Sequence, residues 1–176
     1  MSEMQRIVVV GVSGAGKTTF ARQLALQLSY PHIEMDAIHW LPDWVEMPID
    51  SFREQIAAAL SGDSWVVDGN YSKVRDIVWS RADTIIWLDY ALPLILARLF
   101  RRTVRRVITR EVLWSGNRET LQNQFRYDSI MIWALRSYFK QRRTYPLLFQ
   151  QPQYAHVKFL RLNSPKVAQK WLDQQD

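Results

Sequence analysis

Residues 7–18 of the chain read Ile-Val-Val-Val-Gly-Val-Ser-Gly-Ala-Gly-Lys-Thr. The four apolar residues at the start are typical of a short strand that is buried on both faces. The eight residues that follow match the pattern G-x-x-x-x-G-K-[ST]. Beyond them, Phe20, Leu24 and Leu28 recur at helical spacing. The stretch therefore predicts a strand, a glycine-rich loop and a helix in succession.

The loop has the chemistry of a phosphate-binding site. Its glycines allow tight backbone turns, so that successive N–H groups and the helix N-terminus point at phosphate oxygens. Lys17 would bridge the β and γ phosphates of a nucleotide, and the Thr18 hydroxyl would be a ligand of Mg²⁺. A glycine-rich turn with a chance lysine is the alternative, expected in about one chain in a hundred of this length. The residues predicted to bind a nucleoside triphosphate are Gly11, Ser13, Gly14, Ala15, Gly16, Lys17, Thr18 and Thr19.

Further strand-like and helix-like segments alternate along the chain. The strand-like runs lie at residues 32–35, 64–67, 84–88 and 157–160, and helical patterns begin near residues 50, 92, 119 and 164. This alternation predicts an α/β fold in which five parallel strands are covered by helices on both faces. Ligands of such folds collect at the carboxyl ends of the strands, so polar residues there are candidate site residues.

The composition describes an ordinary globular chain of 176 residues, which we expect to form a single domain. A hydrophobic share of 48% is too high for intrinsic disorder. The absence of cysteine excludes disulfides, thiolate zinc sites and iron–sulfur clusters. No apolar run is long enough to span a membrane and the N-terminus lacks the layout of a signal peptide, so we expect a cytoplasmic protein.

Positive charge is concentrated in residues 98–143. This segment holds eleven arginines and one lysine against three acidic residues, a net charge of +9 in a chain whose total is +6. Arg98 and Arg102 lie four residues apart, so they share a helix face, and the arginine fork suits phosphate oxygens. We expect an arginine-rich helical lid with its tip at residues 110–118 and with Arg98, Arg102 and Arg118 as catalytic candidates. A solvated helix face and a nucleic-acid surface are the alternatives.

Two predicted strands are followed by residues with a candidate role in binding. Asp36 follows the second strand, where a carboxylate can accept the proton of an attacking hydroxyl, and a solvated loop carboxylate is its alternative. Trp40, in the loop beyond, would wall a substrate pocket or pack in the core. Asp68 follows the third strand and is expected on the Mg²⁺ side, with Gly69 and Asn70 close to the substrate. An ordinary turn is the alternative for these three residues.

Asp89 follows the fourth strand in the same way, with a helix cap as its alternative. The residues at the strand ends are Asp36, Asp68-Gly69 and Leu88-Asp89. Together with the phosphate loop and the pair Arg98 and Arg102, they resemble the motifs of the adenylate-kinase-like P-loop kinases. The resemblance implies a three-layer P-loop NTPase fold that uses ATP and Mg²⁺.

A closer resemblance, over nearly the whole chain, is to bacterial proteins labelled DNA topology modulation protein. It rests on three stretches: Met35-Asp-x-x-His-Trp40, Trp65-Val-Val-Asp-Gly-Asn-Tyr71 and Leu113-Trp-x-Gly-Asn-Arg-Glu119. Proteins of that family are also labelled adenylate kinase-related, so the labels leave both a kinase and a DNA-associated ATPase open.

One departure from adenylate kinases affects the predicted substrate. Those enzymes carry Asp-Gly-Phe-Pro-Arg after the third strand, where the arginine grips the acceptor phosphate, whereas residues 68–72 here read Asp-Gly-Asn-Tyr-Ser. Asp36 instead resembles the acid that meets the acceptor hydroxyl in shikimate, gluconate and deoxynucleoside kinases. We therefore expect a phosphotransferase that moves the γ-phosphoryl of ATP to an uncharged or weakly charged hydroxyl metabolite, a nucleoside or nucleotide included. The alternatives are a nucleic-acid-associated ATPase that affects DNA topology and a nucleotide-binding protein with little catalysis. The residues predicted to be catalytic are Lys17, Asp36, Arg98, Arg102 and Arg118.

Overall fold

A computed structural model of the chain describes residues 4–118 and 130–175, with residue 130 described by its backbone alone. Five strands form a parallel sheet in the order β2-β3-β1-β4-β5. The strands are β1 Arg6–Gly11, β2 His32–Glu34, β3 Trp65–Asp68, β4 Thr84–Leu88 and β5 Lys158–Leu162. The doubly wound sheet that the alternating segments predict is confirmed.

Seven α-helices lie within the described residues: α1 Lys17–Leu28, α2 Met35–His39, α3 Ile49–Ala59, α4 Arg75–Arg81, α5 Leu92–Thr109, α6 Ile130–Leu148 and α7 Pro165–Leu172. The sequence pattern missed α2 and α4, because helices of five and seven residues are too short to show a helical period. The predicted start of a helix near residue 119 lies outside the described residues, and the described helix α6 ends at Leu148.

The central strand β1 divides the core into two layers. Ile7 and Val9 pack with α1 and α7 on one face of the sheet, whereas Val8 and Val10 pack with α3 and α4 on the other. All four side chains are at most 1% exposed, and full burial of such a side chain stabilises the fold by about 1.5–3 kcal/mol. Burial on both faces explains why the strand lacks any alternation of polar and apolar residues.

The register of the sheet brings the ends of four strands together. Val9 of β1 pairs with Asp68, Asp68 pairs with Glu34 of β2, and Gly11 pairs with Leu88 of β4. The loops that follow these strands therefore open at one edge of the sheet. None of the helices in the described ranges has a stretch long and apolar enough to cross a membrane.

Candidate active site

A cavity of about 1330 Å³ lies at this edge of the sheet. It is lined by the loop between β1 and α1, the end of β2, one face of α5 and residues 111–114. Pockets for a single drug-sized ligand measure about 300–1,000 Å³, so the cavity has room for a nucleotide and a second small molecule. Of the predicted nucleotide-binding residues, those that line the cavity are Ser13, Gly14, Ala15, Gly16, Lys17, Thr18 and Thr19.

The phosphate loop is held between β4 and α5. Gly11 has a φ of +150°, and a Cβ there would lie 2.8 Å from the carbonyl oxygen of Leu88. Gly14 has a φ of +86°, and a Cβ there would lie 2.9 Å from the carbonyl oxygen of Ile95 in α5. Cβ atoms rarely approach backbone so closely. Only glycine therefore allows the loop to lie this close to β4 at Gly11 and to α5 at Gly14.

Lys17 is poised at the inner end of the loop. Its ammonium group donates a hydrogen bond to the carbonyl oxygen of Val12 over 3.2 Å. Burial lowers the pKa of Lys17, and the carboxylates of Asp36 and Asp68 oppose that shift. Burial strengthens the attraction between this lysine and a phosphate, because charges interact more strongly away from water.

Thr18, Asp68 and Glu34 form an oxygen-rich cluster beside the loop. The Thr18 hydroxyl donates to Oδ2 of Asp68 over 2.8 Å and lies 3.4 Å from Oε1 of Glu34. Nε2 of His32 lies 2.8 Å from the other oxygen of Asp68, whose side chain is buried. Burial raises the pKa of Glu34, and the nearby charge of Asp68 raises it further.

This cluster fits Mg²⁺ bound together with nucleotide phosphates. Across residues 4–118 and 130–175, no group of three His, Cys, Asp or Glu residues could hold a metal ion by itself. Mg²⁺ prefers oxygen ligands, retains several waters and is commonly bound through one or two carboxylates plus substrate phosphates. The Thr18 hydroxyl and the Asp68 carboxylate are the two predicted metal ligands, and they lie in direct contact. A cation would also relieve the repulsion that raises the pKa of Glu34.

Sequence reasoning missed Glu34. The predicted second strand ran to residue 35, which placed Glu34 inside it, whereas the strand ends at Glu34 and α2 begins at Met35. The signal was the same one that identified Asp68, a carboxylate at the end of a strand next to the phosphate loop. Glu34 was missed because the predicted end of the strand was one residue too far along the chain.

Asp36 lies in the first turn of α2 and lines the cavity. The Tyr71 hydroxyl donates a hydrogen bond to Oδ1 of Asp36 over 2.5 Å. Burial raises the pKa of Tyr71, and the Asp36 charge raises it further, so the phenol is protonated and is the donor of this bond. His39 packs against the Tyr71 ring, and burial lowers its pKa.

The arginines of α5 also contact the phosphate loop. Arg98 donates to the carbonyl oxygen of Ala15 over 3.3 Å, and Arg102 donates to the Ser13 hydroxyl over 3.4 Å. The Arg98 guanidinium also lies 5.6 Å from the centre of the Tyr90 ring. Four further arginines line the cavity, namely Arg22, Arg101, Arg105 and Arg106.

Residues 111–118, which we call the tip segment, contact the loop between α2 and α3. This loop, residues 40–48, is called the Trp40 loop below. The buried Asn117 donates to the carbonyl oxygen of Leu41 over 2.8 Å and accepts from the backbone N–H of Trp44 over 3.0 Å. Ser115 donates to the carbonyl oxygen of Trp40 over 2.6 Å. The tip segment and the Trp40 loop therefore form one hydrogen-bonded unit, of which residues 111–114 line the cavity.

Two predicted residues of this unit lie away from the cavity lining. The Trp40 ring packs against Trp44, with ring centres 5.5 Å apart, and against His39. The Arg118 side chain is exposed, while its backbone carbonyl accepts from the Trp44 indole. Trp114, in contrast, lines the cavity. The roles of Trp40 in binding and of Arg118 in catalysis stay predictions.

Gly69 and Asn70 have packing partners that the sequence did not indicate. A Cβ on Gly69 would lie 2.8 Å from the Cβ of Met35, so glycine is needed for contact with α2. Asn70 accepts a hydrogen bond from the Tyr145 hydroxyl over 2.6 Å. Neither residue lines the cavity, so their predicted role in substrate binding also stays a prediction.

Asp89 joins α6 and β5 to the end of β4. Its buried carboxylate accepts from Arg142 over 2.8 Å and from Arg161 over 2.5 Å. The N-cap of α5 is Ala91, so Asp89 does not have the capping role that was its alternative. The ion pairs explain a buried carboxylate at this position.

Solved structures with the same fold carry kinase names. A gluconokinase from Sinorhizobium meliloti 1021 is 18% identical, with 97% of this chain and 92% of that chain aligned at a TM-score of 0.53. A shikimate kinase from Acinetobacter baumannii in complex with shikimate is 19% identical, with coverages of 97% and 90% and a TM-score of 0.57. A shikimate kinase from Bacteroides thetaiotaomicron is 16% identical, with coverages of 98% and 96% and a TM-score of 0.55.

These similarities establish the fold. No protein-family model matches the chain, and no curated protein matches it significantly. The chain therefore has the three-layer α/β fold of P-loop kinases, as its sequence predicts. Folds of this kind host many reactions, and the residues of the site determine which one occurs.

Proposed function

We propose that the protein is a kinase that transfers the γ-phosphoryl group of ATP to a hydroxyl group of a small metabolite. The observation that carries this proposal is the arrangement of Lys17, the Thr18–Asp68 pair and Asp36 around one cavity large enough for two ligands. Transfer to a hydroxyl group needs, besides the phosphate site, a base for that hydroxyl, and a carboxylate in the same cavity can serve as one. Asp36 supplies that carboxylate here.

The phosphates of ATP would be bound by the loop amides and by Lys17. The N-terminus of α1 adds a partial positive charge at the same point. Arg98 and Arg102, whose guanidinium groups contact the loop, would stabilise charge that develops on the transferred group. Mg²⁺, when bound, would neutralise phosphate charge, with Thr18 and Asp68 as its protein ligands.

Asp36 would act on the acceptor. Its carboxylate would accept the proton of the acceptor hydroxyl while the oxygen of that hydroxyl forms a bond to the γ phosphorus. The bond between the γ phosphorus and the bridging oxygen breaks at the same time, so the products are ADP and a phosphomonoester. Holding the hydroxyl in line with that bond accounts for much of the expected rate enhancement.

The proposed acceptor is a hydroxylated metabolite. The cavity carries the carboxylates of Glu34, Asp36 and Glu111, and Glu111 pairs with Arg105 and Arg106. The arginine that grips an acceptor phosphate in adenylate kinases is replaced by Ser72. The names gluconokinase and shikimate kinase belong to proteins of the same fold, and they make polyhydroxylated acids the first compounds to test.

We extend the proposal to a lid at residues 98–143 within a single kinase-like domain that spans residues 1–176. The contacts of α5 with the phosphate loop and of the tip segment with the Trp40 loop support this proposal. The closer resemblance to proteins labelled DNA topology modulation protein is retained on its sequence motifs. None of the kinase structures named above supports action on nucleic acid.

A screen for acceptor-dependent ATP consumption tests the proposal. Purified protein, MgATP and one compound from a panel of nucleosides, nucleoside monophosphates, sugars, gluconate and shikimate are incubated together, and ADP is measured. Lys17→Ala is the inactive variant, and Lys170→Ala, which changes an exposed lysine of α7, is the matched control. We expect one class of compound to stimulate ADP formation by the wild type and Lys170→Ala but not by Lys17→Ala. ATP hydrolysis that no compound stimulates, but that supercoiled DNA does, would contradict the proposal.

A further inference from the structure

The hydrogen bond between Tyr71 and Asp36 joins two parts of the site. Tyr71 lies three residues beyond Asp68, in the segment that follows β3, whereas Asp36 lies in the first turn of α2. The bond length of 2.5 Å is typical of a charged acceptor, for which hydrogen bonds are shorter and about twice as strong as neutral ones. The segment that begins at Asp68, the predicted Mg²⁺ ligand, thus also binds Asp36, the proposed base for the acceptor hydroxyl.

The Tyr71 ring is fixed from two sides. Its centre lies 4.4 Å from the centre of the His39 ring and 5.2 Å from that of Phe52. Both of these neighbours are buried, at 4% and 0% exposure. The packing fixes the ring, so the hydroxyl oxygen stays at one point and the Asp36 carboxylate has to orient toward it.

An orientation of this kind matters for a carboxylate that works as a base. Rotation about the terminal torsion of an aspartate is only weakly restricted, so a free carboxylate samples many orientations. Engagement of Oδ1 by Tyr71 leaves Oδ2 for another partner.

We infer that Tyr71 is a positioning residue, which holds Asp36 in the orientation that receives the acceptor hydroxyl. The inference rests on the proposed kinase function. Tyr71 itself is not a catalytic residue, because it acts on the acceptor only through Asp36. The stretch Asp68-Gly-Asn-Tyr71 then has a role at both of its ends. Asp68 would bind Mg²⁺, and Tyr71 would orient the carboxylate that receives the acceptor hydroxyl.

The test compares two substitutions that each remove one hydroxyl from a hydrogen-bonded, packed tyrosine. Tyr71→Phe breaks the bond to Asp36 and keeps the ring, whereas Tyr145→Phe breaks the bond to Asn70. Both are assayed with MgATP and the panel compound that gives the highest turnover. We expect Tyr71→Phe to lower kcat about 10- to 100-fold, the cost of a misplaced catalytic group, and to leave the KM for MgATP within about twofold. Tyr145→Phe should change kcat less than about threefold, because Tyr145 does not bond to Asp36 and does not line the cavity.

A double-mutant cycle separates positioning from stability. Asp36→Ala lowers turnover by itself, and Tyr71→Phe should add no further loss in that background. Denaturant unfolding of the same four proteins gives the coupling between the two side chains, expected to be about tenfold in the folding equilibrium, which is about 1.4 kcal/mol. This measurement needs no acceptor, so it reports on the contact even if the chemistry is different.

The outcomes distinguish the inference from the proposed function. Acceptor-dependent turnover that Tyr71→Phe leaves unchanged would overturn the positioning role and leave the kinase function intact. An equal loss of kcat in Tyr145→Phe, or no coupling between Tyr71 and Asp36 in unfolding, would overturn it as well. Absence of transfer to every panel compound by the wild type would overturn the proposed function, and the positioning role would fall with it.

Discussion

Replacement of Gly14 by alanine tests the contact between the phosphate loop and α5. Gly14 has a φ of +86°, where an alanine costs about 1–2 kcal/mol. The new Cβ would also lie 2.9 Å from the carbonyl oxygen of Ile95 and 3.1 Å from the Cβ of Leu99. Overpacking of this kind costs about 1–3 kcal/mol more. The sum is a loss of about 2–5 kcal/mol, which lowers the Tm of a chain of this size by about 4–20 °C.

Two other glycines separate the contributions to that loss. Gly116 has a φ of +80°, but a Cβ added there would meet no atom of the described residues within 4 Å, so Gly116→Ala isolates the backbone strain. Gly62 has neither a positive φ nor a contact closer than 4.0 Å within the same part of the chain, so Gly62→Ala should leave Tm nearly unchanged or raise it slightly. The expected order of Tm is therefore Gly62→Ala above Gly116→Ala above Gly14→Ala.

The effect on nucleotide binding is specific to Gly14. A Cβ at this position pushes α5 away from the loop, which moves Arg98 and Arg102 from the phosphate site. We expect the Kd for MgATP, measured by isothermal titration calorimetry, to rise at least about tenfold, which corresponds to about 1.4 kcal/mol of lost binding. Gly62→Ala and Gly116→Ala should bind MgATP like the wild type. A Gly14→Ala protein that matches Gly116→Ala in Tm and the wild type in its Kd for MgATP would refute the proposed role of the contact between the phosphate loop and α5.

Three further predictions concern charged groups. Burial and Asp68 raise the pKa of Glu34, so the folded state disfavours its charge and Glu34→Gln should raise Tm at pH 7 to 8. The gain should shrink as the pH falls through the raised pKa and should be gone once the pH reaches the ordinary pKa of 4.5, which a series of Tm measurements against pH checks. Arg142→Ala leaves the buried Asp89 with one ionic partner, so the free energy of unfolding should fall by about 1–3 kcal/mol in denaturant titrations while the Kd for MgATP stays unchanged. Arg98→Ala and Arg102→Ala should lower acceptor-dependent kcat by about 10- to 1,000-fold in steady-state assays, with little change in Tm.

Exposed arginines provide the matched controls for these variants. Arg143 is exposed and adjacent to Arg142, and Arg110 is exposed at the end of α5. Arg143→Ala and Arg110→Ala should behave like the wild type in unfolding and turnover. Equal losses in the control variants would contradict the assigned contacts, as would a Glu34→Gln protein whose Tm advantage is largest at low pH.

Local sequence patterns were enough to predict the phosphate loop and the sheet. The loop residues lie within eight consecutive positions, and the run of apolar residues before Gly11 encodes a central buried strand without reference to distant residues. Asp36 and Asp68 were also predicted, because the end of a parallel strand lies at the ligand-binding edge in every fold of this class. Local spacing was therefore enough to predict the fold and these two carboxylates.

Contacts between distant residues account for what the sequence did not reveal. Gly69 is a glycine because Met35 packs against it, and the Asn70 amide is bound by Tyr145, 75 positions away. Asp89 follows a strand just as Asp68 does, yet its partners are arginines from α6 and β5. Which of several similar carboxylates faces a cavity depends on such contacts, and no local pattern records them.

The central claim is that the chain transfers the γ-phosphoryl group to an acceptor rather than to water. Phosphorus-31 NMR of the products tests it most directly, because a phosphomonoester and inorganic phosphate give separate resonances. With MgATP and the most stimulating panel compound, we predict a new phosphomonoester resonance that grows in equal amount with ADP and that is absent with Lys17→Ala. Growth of inorganic phosphate alone, in equal amount with ADP, would contradict the claim.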